Sequence, residues 1–156
     1  MSDSPRVLHV AIREVQTGRN VTLVEPSNLY ECSIGDDSFV GPFVEIQRGV
    51  MIGARTKVQS HAFICELVTI GDDCFIGHGV MFTNDTFING GPARGDRSLW
   101  RETKIGNRVS IGSNATILPV IICDGAVIGA GAVVTRNIEQ AGVYVGSPAR
   151  LIRKLL

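Results

Sequence analysis

An aliphatic residue returns every six positions through the middle of the chain, at Ile34, Val40, Ile46, Ile52, Val58, Ile64, Ile70 and Ile76. Four residues after each stands a small or β-branched one: Ser38, Val44, Val50, Thr56, Ala62, Val68, Cys74 and Val80. Gly follows the aliphatic position at 35, 41, 53, 71 and 77. A period of six matches neither the 3.6 of a helix nor the 2 of a half-buried strand. It is the repeat of a hexapeptide β-helix, in which each coil buries its apolar side only by stacking on its neighbours. Three hexads make one triangular coil of 18 residues, with the aliphatic residue inside and the small residue where the wall is tight. Ile34-Gly-Asp-Asp-Ser-Phe-Val-Gly recurs 36 residues later as Ile70-Gly-Asp-Asp-Cys-Phe-Ile-Gly, two whole coils, so the two acidic corners are expected on one edge.

The expected fold is all-β: a single domain over residues 1–156, with a parallel β-helix of about six coils over 22–139. Residues 1–21 form an irregular cap and 140–156 a short C-terminal tail, basic over Gly146-Ser-Pro-Ala-Arg-Leu-Ile-Arg-Lys. The hexad resumes at Leu99, Ile105 and Ile111, which makes Ile88–Ser98 a protruding loop with turn chemistry and two arginines. Excursions from a rigid scaffold are where function concentrates. A second defect, Ile117-Leu-Pro-Val-Ile, is one residue short of a hexad.

Composition narrows the function classes. Of 156 residues 44% are hydrophobic, which rules out disorder, but aromatics make up only 6%, so the core is built of Val, Ile and Ala. A formal net charge of zero argues against nucleic acid or an acidic membrane surface as partner. No signal peptide opens the sequence, and no apolar run reaches the ~18 residues of a membrane helix, so a cytoplasmic protein is expected. The four cysteines, at 32, 65, 74 and 123, form no CxxC pair and read as reduced thiols, with Cys32 and Cys74 in small interior slots.

The motifs Ile111-Gly-Ser-Asn-Ala-Thr, Ile128-Gly-Ala-Gly-Ala-Val-Val-Thr-Arg-Asn and Gly146-Ser-Pro-Ala-Arg-Leu-Ile-Arg resemble the acyl-CoA groove of the left-handed β-helix acyltransferases. The resemblance covers residues 22–156. It alone implies the left hand, since strand sterics favour right-handed crossovers. It also implies a homotrimer with acetyl-CoA as cosubstrate in a groove between subunits, and no metal. Carried over residue by residue, Ser113 and Ala130 meet the pantetheine arm through their backbone, and Thr135-Arg136 stands near the nucleotide end. Arg150 and Arg153 match tail arginines, and guanidinium groups suit the phosphates of CoA.

Sugar O-acetyltransferases of this kind place a catalytic His near the position of Phe87. Here the strand ends Phe82-Thr-Asn84-Asp85, which resembles nucleotide-sugar N-acetyltransferases acting on 3-amino groups, including those of UDP-linked 2-acetamido-3-amino-hexuronates. In them the Asn holds the sugar amine. The resemblance therefore implies a nucleotide-sugar substrate, surface polysaccharide synthesis, and Asn84 as the positioning group. A neutral amine is already a good nucleophile, so positioning suffices where a hydroxyl needs a strong base. His78 and Asp85 are the candidates to take the amine proton, and Gln59, His61, Arg94 and Arg97 the candidates to contact substrate. Each also has a plain structural reading as a corner, interface or loop residue, and His9 reads as a surface residue. Three other functions stay open: O-acetylation with His78 as base, a non-catalytic assembly subunit, and a zinc hydratase or lyase. The last needs three converging His, and only three exist.

Overall fold

The structure is a computed structural model that describes residue 8 and residues 11–155, so His9 lies outside the described residues. Short strands, mostly of two residues, wind into three parallel sheets that form the faces of a triangular prism. The first face stacks Gln16–Thr17, Ser33–Ile34, Met51–Ile52, Val68–Ile70, Thr103–Ile105 and Ile121–Ile122. The third stacks Asn28–Leu29, Glu45–Ile46, Phe63–Ile64, Met81–Phe82, Thr116–Ile117 and Val133–Val134. The second runs from Thr22–Leu23 to Val127–Ile128 and gains two further strands, Gly142–Val145 and Arg150–Lys154.

The register follows the hexads. Ile34 pairs with Ile52 and Ile52 with Ile70, 18 residues per coil, while Ile105 pairs with Ile122, only 17 on, where the sequence is one residue short. Because a strand points alternate side chains to opposite sides, the second residue of each two-residue strand from Asn28–Leu29 onward fills the prism. Leu29, Ile34, Val40, Ile46, Ile64, Ile76 and Ile111 are all buried in one continuous core. The small slots carry a ladder of their own. Ser38 Oγ donates to the Gly53 carbonyl (2.9 Å) and accepts from the Thr56 N–H (3.0 Å). Thr56 Oγ1 donates to the Gly71 carbonyl (2.9 Å) and accepts from the Cys74 N–H (3.0 Å). The Cys74 thiol donates to the Gly106 carbonyl (3.1 Å). All four cysteines are free, and Cys32 and Cys74 fill small interior slots as expected. The two acidic corners share one edge, where Arg55 binds Asp73 (2.7 Å), lies 3.6 Å from Asp72, and gives its N–H to the Asp36 carbonyl (2.7 Å).

Three boundaries differ from the sequence reading. The helix has about seven turns, not six, because the expected cap already contributes a strand: Gln16–Thr17 pairs in parallel with Ser33–Ile34. Thr17 is exposed at the end of the prism, so this rung lacks the aliphatic marker. The expected tail is a continuation of the wall. Gly142–Val145 stacks on Val127–Ile128, the chain reverses at Gly146 (φ +91°), and Arg150–Lys154 returns antiparallel. Finally, the excursion is longer than Ile88–Ser98. Ile70 pairs with Ile105, 35 residues on, which leaves 17 residues beyond one coil. Leu99 is not a coil position. It ends a 3-10 turn, Arg97–Leu99, which Asp96 caps by accepting the Ser98 N–H, and the wall resumes only at buried Thr103.

Candidate active site

The corner between the second and third faces carries one column of candidates. The Gly79 N–H donates to the Ser60 carbonyl (3.0 Å), Asn114 to His78 (2.8 Å) and Gly131 to Ser113 (2.8 Å), so Ser60, His78, Ser113 and Ala130 stack one above another. The coils approach closely here. A Cβ on Gly112 would lie 2.5 Å from the Ala130 nitrogen, and one on Gly77 would lie 2.7 Å from the Ile111 oxygen. His78 and Ala130 are exposed and Ser113 is half-buried, which leaves a smooth edge along which an extended chain can lie. His61 and Gln59 belong to the same corner one coil below His78. His61 is exposed and stacks on Phe43, with ring centroids 4.9 Å apart. His61 thus shares the edge of His78.

Asn84 occupies a different corner, between the third and first faces, at the other end of the strand Met81–Phe82. Here the 17 extra residues leave the wall and return. The Arg101 N–H donates to the Asn84 carbonyl (2.9 Å) and Asp85 bridges Trp100, so the excursion is closed at its base. Both carboxylate oxygens of Asp85 are occupied, Oδ1 by the Phe87 N–H (3.0 Å) and Oδ2 by the Ala93 N–H (2.7 Å). Asp85 is built as the clamp of the loop rather than as an open base. Arg94, in the left-handed region (φ +52°), is exposed on the loop. Arg97 reaches back to the coil, pairs with Glu66, and lies 5.7 Å from the Trp100 ring centroid.

Under this loop lies a cavity of about 650 Å³. Its walls include Tyr30, Phe63, Phe87, Trp100 and Leu118, and its polar groups Gln47, Glu66, Asn84 and Asp85. The Cys65 thiol lines it and is pushed up to about 12 by burial, so it stays protonated and unreactive. Burial, with Glu45 and Glu66 nearby, likewise raises Tyr30. The Asn84 amide nitrogen donates to the Glu66 carbonyl (3.2 Å). A carbonyl only accepts, so the amide NH2 faces it, and Oδ1 accepts no hydrogen bond among the described residues. Glu66 was not singled out from the sequence, although a signal was there. It stands 18 residues before Asn84, two past the aliphatic Ile64 as Asn84 is two past Phe82, hence directly beneath it.

The remaining cationic candidates gather at the top of the prism. Thr135, Arg136 and Arg150 line a second cavity of about 220 Å³ beside Tyr144. Arg153 lies exposed on the same hairpin strand as Arg150, opposite Val143. None of the three arginines makes an ion pair among the described residues. Also among the described residues, no three His, Cys, Asp or Glu side chains converge as a metal site, and no helix is long and apolar enough to cross a membrane.

Comparison with known proteins agrees with the architecture. Residues 31–66 match the bacterial transferase hexapeptide (six repeats), and residues 67–81 and 102–136 match the hexapeptide repeat of succinyl-transferase. The chain is 31% identical over 151 residues to the bifunctional protein GlmU of Streptococcus uberis, covering 92% of this chain and 32% of that protein. It therefore spans about a third of the length of that curated relative. Among solved structures, a hexapeptide-repeat acetyltransferase from Vibrio cholerae complexed with acetyl coenzyme A superposes with a TM-score of 0.60 at 21% identity, over 83% of this chain and 71% of that one. A variant of AntD, an N-acyltransferase from Bacillus cereus in complex with dTDP and coenzyme A, superposes at 0.55 with 19% identity, over 90% and 84%.

Proposed function

Since the chain belongs to the bacterial hexapeptide-repeat transferases, we propose that it is an acetyl-CoA-dependent N-acetyltransferase acting on the amino group, the 3-amino group, of a nucleotide-linked amino sugar in surface polysaccharide synthesis. The observation that carries this reading is Asn84 in the wall of the cavity, its amide NH2 held by the Glu66 backbone carbonyl so that Oδ1 is left to accept from a ligand. An amide is not a base near neutral pH. It suits a nucleophile that needs orientation only, as an amine does. AntD, an N-acyltransferase of the same fold in complex with dTDP and coenzyme A, supports the pairing of a nucleotide with an acyl carrier on this scaffold.

The residues fit acetyl-CoA. The Ser113–Ala130 edge offers backbone and no bulky side chain to the pantetheine arm, and Arg136, Arg150 and Arg153 are cations without acidic partners among the described residues, suited to its phosphates. That edge and Asn84 lie at opposite ends of one prism face. A thioester lying on the edge of one chain meets an amine held at Asn84 if the two come from neighbouring chains, which favours a homotrimer with its sites between subunits. In the reaction the neutral amine attacks the acetyl carbonyl carbon. The tetrahedral oxyanion collapses, the C–S bond breaks, the CoA thiolate leaves and takes up a proton, and the amide nitrogen loses one to solvent or to His78 of the facing edge.

The test is a turnover screen with acetyl-CoA against UDP- and dTDP-linked amino sugars and their hydroxyl counterparts, reading released thiol. Thiol release with amines and not with the hydroxyl analogues is expected. Turnover of hydroxyl acceptors alone would assign O-acetylation with His78 as base, and saturable acetyl-CoA binding without turnover of any acceptor would leave an assembly role.

A further inference from the structure

The cavity beside Asn84 holds two carboxylates and no cation among its lining residues. Asp85 has both oxygens committed to loop N–H groups. Glu66 does not. Its side chain is only 14% exposed, Oε2 is paired with Arg97, and Oε1 accepts no hydrogen bond among the described residues. Glu66 lies one coil beneath Asn84 and is tied to it through its own backbone carbonyl; both residues line the cavity, and neither Glu66 Oε1 nor Asn84 Oδ1 accepts a hydrogen bond among the described residues. The rest of the wall is uncharged and largely apolar, with Gln47, Thr83 and Thr86 as neutral polar groups.

We propose that Glu66 binds the acceptor ammonium and sets the charge of the sugar that enters: the reacting ring carries an amine and no carboxylate. This rests on the N-acetyltransferase reading above. An ammonium group has three N–H donors. Two match Glu66 Oε1 and Asn84 Oδ1, and the third proton is the one given up. The neutral amine then keeps both acceptors and turns its lone pair away from them, towards the thioester. A ring carboxylate in the same cavity meets aromatic walls and the field of Glu66, while Arg97, the cation at the rim, is already held by Glu66. The preference therefore runs opposite to that of enzymes acting on amino-hexuronates. A 6-deoxy ring, with a methyl group in place of the carboxylate, matches the apolar wall.

The experiment uses the full chain with acetyl-CoA and pairs of 3-amino sugars on the same nucleotide, UDP or dTDP, that differ only in a methyl or a carboxylate at C6. The nucleotide charge cancels within each pair. The methyl sugar is expected to have the higher kcat/KM by at least about tenfold, an effect of the size expected for one like charge a few ångströms away. In Glu66→Gln that ratio is expected to fall by about tenfold, through KM for the sugar and with acetyl-CoA affinity unchanged. Arg97→Gln, which leaves Glu66 without its partner, is expected to widen the ratio, and it carries the test if Glu66→Gln does not fold. Equal or better use of the carboxylate sugar by the wild-type protein overturns the inference and leaves N-acetylation standing, as does a folded Glu66→Gln with an unchanged ratio. If the wild-type protein binds acetyl-CoA but acetylates neither sugar, the parent reading fails and takes this one with it.

Discussion

Replacing Asn84 by Ala separates positioning from folding, and the structure sets the size of both effects. The side chain is half-buried and makes one described hydrogen bond, Nδ2 to the Glu66 carbonyl at 3.2 Å. Losing a single neutral bond at the wall of an open cavity, where water replaces the donor, costs about 1 kcal/mol. In a domain of this length that lowers Tm by roughly 3 °C. The catalytic loss is larger. Without Oδ1 the amine is held by Glu66 alone and samples orientations that miss the thioester, so kcat/KM is expected to fall ~10²-fold, equivalent to about 2.7 kcal/mol of transition-state stabilisation. Acetyl-CoA affinity should hold, because the Ser113–Ala130 edge lies at the far end of the same face. His78→Ala is expected to cost less than ~10²-fold, since solvent can also take the proton. Released thiol at varied sugar concentration gives kcat and KM, and equilibrium titration gives the acetyl-CoA Kd. Wild-type turnover in Asn84→Ala together with a dead His78→Ala would refute the reasoning and put histidine base catalysis in its place.

Three other perturbations probe the frame. Thr56→Val keeps the shape of the side chain but leaves the Cys74 N–H and the Gly71 carbonyl without it, so about 2–4 kcal/mol of stability should be lost while Thr56→Ser stays near wild type, as read by thermal melts; equal melts for the two variants would dissolve the ladder. Replacing Arg150 and Arg153 together by Ala should weaken CoA more than dephospho-CoA if they grip the ribose phosphate, and equal losses in calorimetric titration would move them elsewhere on the cosubstrate. The Arg19 backbone N–H holds Asp36 below the usual carboxylate range, the Arg55 guanidinium does so for Asp73, and the Asn107 backbone N–H for Asp124. A depressed folded-state pKa favours the fold above the unfolded value, so Tm should stay level down to about pH 4 and drop as acid takes the pH through the lower folded values; a Tm level to pH 2 would contradict this.

The period of six was enough to place the whole aliphatic series from Ile34 to Ile76 inside the prism, because a β-helix wall repeats the same local environment. It failed where a residue had the right identity in a different local structure. Leu99 sits six before Ile105 and so imitates a coil position, yet Asp96 caps a 3-10 turn through it. At the two ends of the prism the wall continues without its marker: Thr17 stands where an aliphatic residue would, and Tyr144 pairs with Ile128. The site divides in the same way. Ser113 and Ala130 were legible as a stacked edge from spacing and family likeness. The distance along the face from His78 to Asn84 was not, because it depends on which corner each hexad turns. Asp85 drew notice as a base, but the structure gives both its oxygens to loop amides, contacts that no local pattern announces. Glu66 escaped because its chemistry comes from the residue one coil above it.

The contrast between regular coils and the single long excursion explains how one scaffold can hold a constant cosubstrate and a particular acceptor. Each coil contacts only its neighbours, so an insertion at one corner leaves the stacking above and below intact. The register across it confirms this: Phe75 and Ile76 pair with Ser110 and Ile111 as if the 17 residues were absent. Closing such a loop costs little once its ends are adjacent, since the entropy grows only with the logarithm of its length. Its ends are already joined by the Arg101–Asn84 backbone bond at 2.9 Å. What remains is to keep the loop from wandering over its own cavity, and the anchors are the Asp85 carboxylate on Phe87 and Ala93 and the Arg97–Glu66 pair. That pair ties loop order to the group proposed to receive the ammonium. An amine arriving at Glu66 shares its carboxylate with Arg97, so the contact that holds the loop down is also the one by which the cavity registers positive charge.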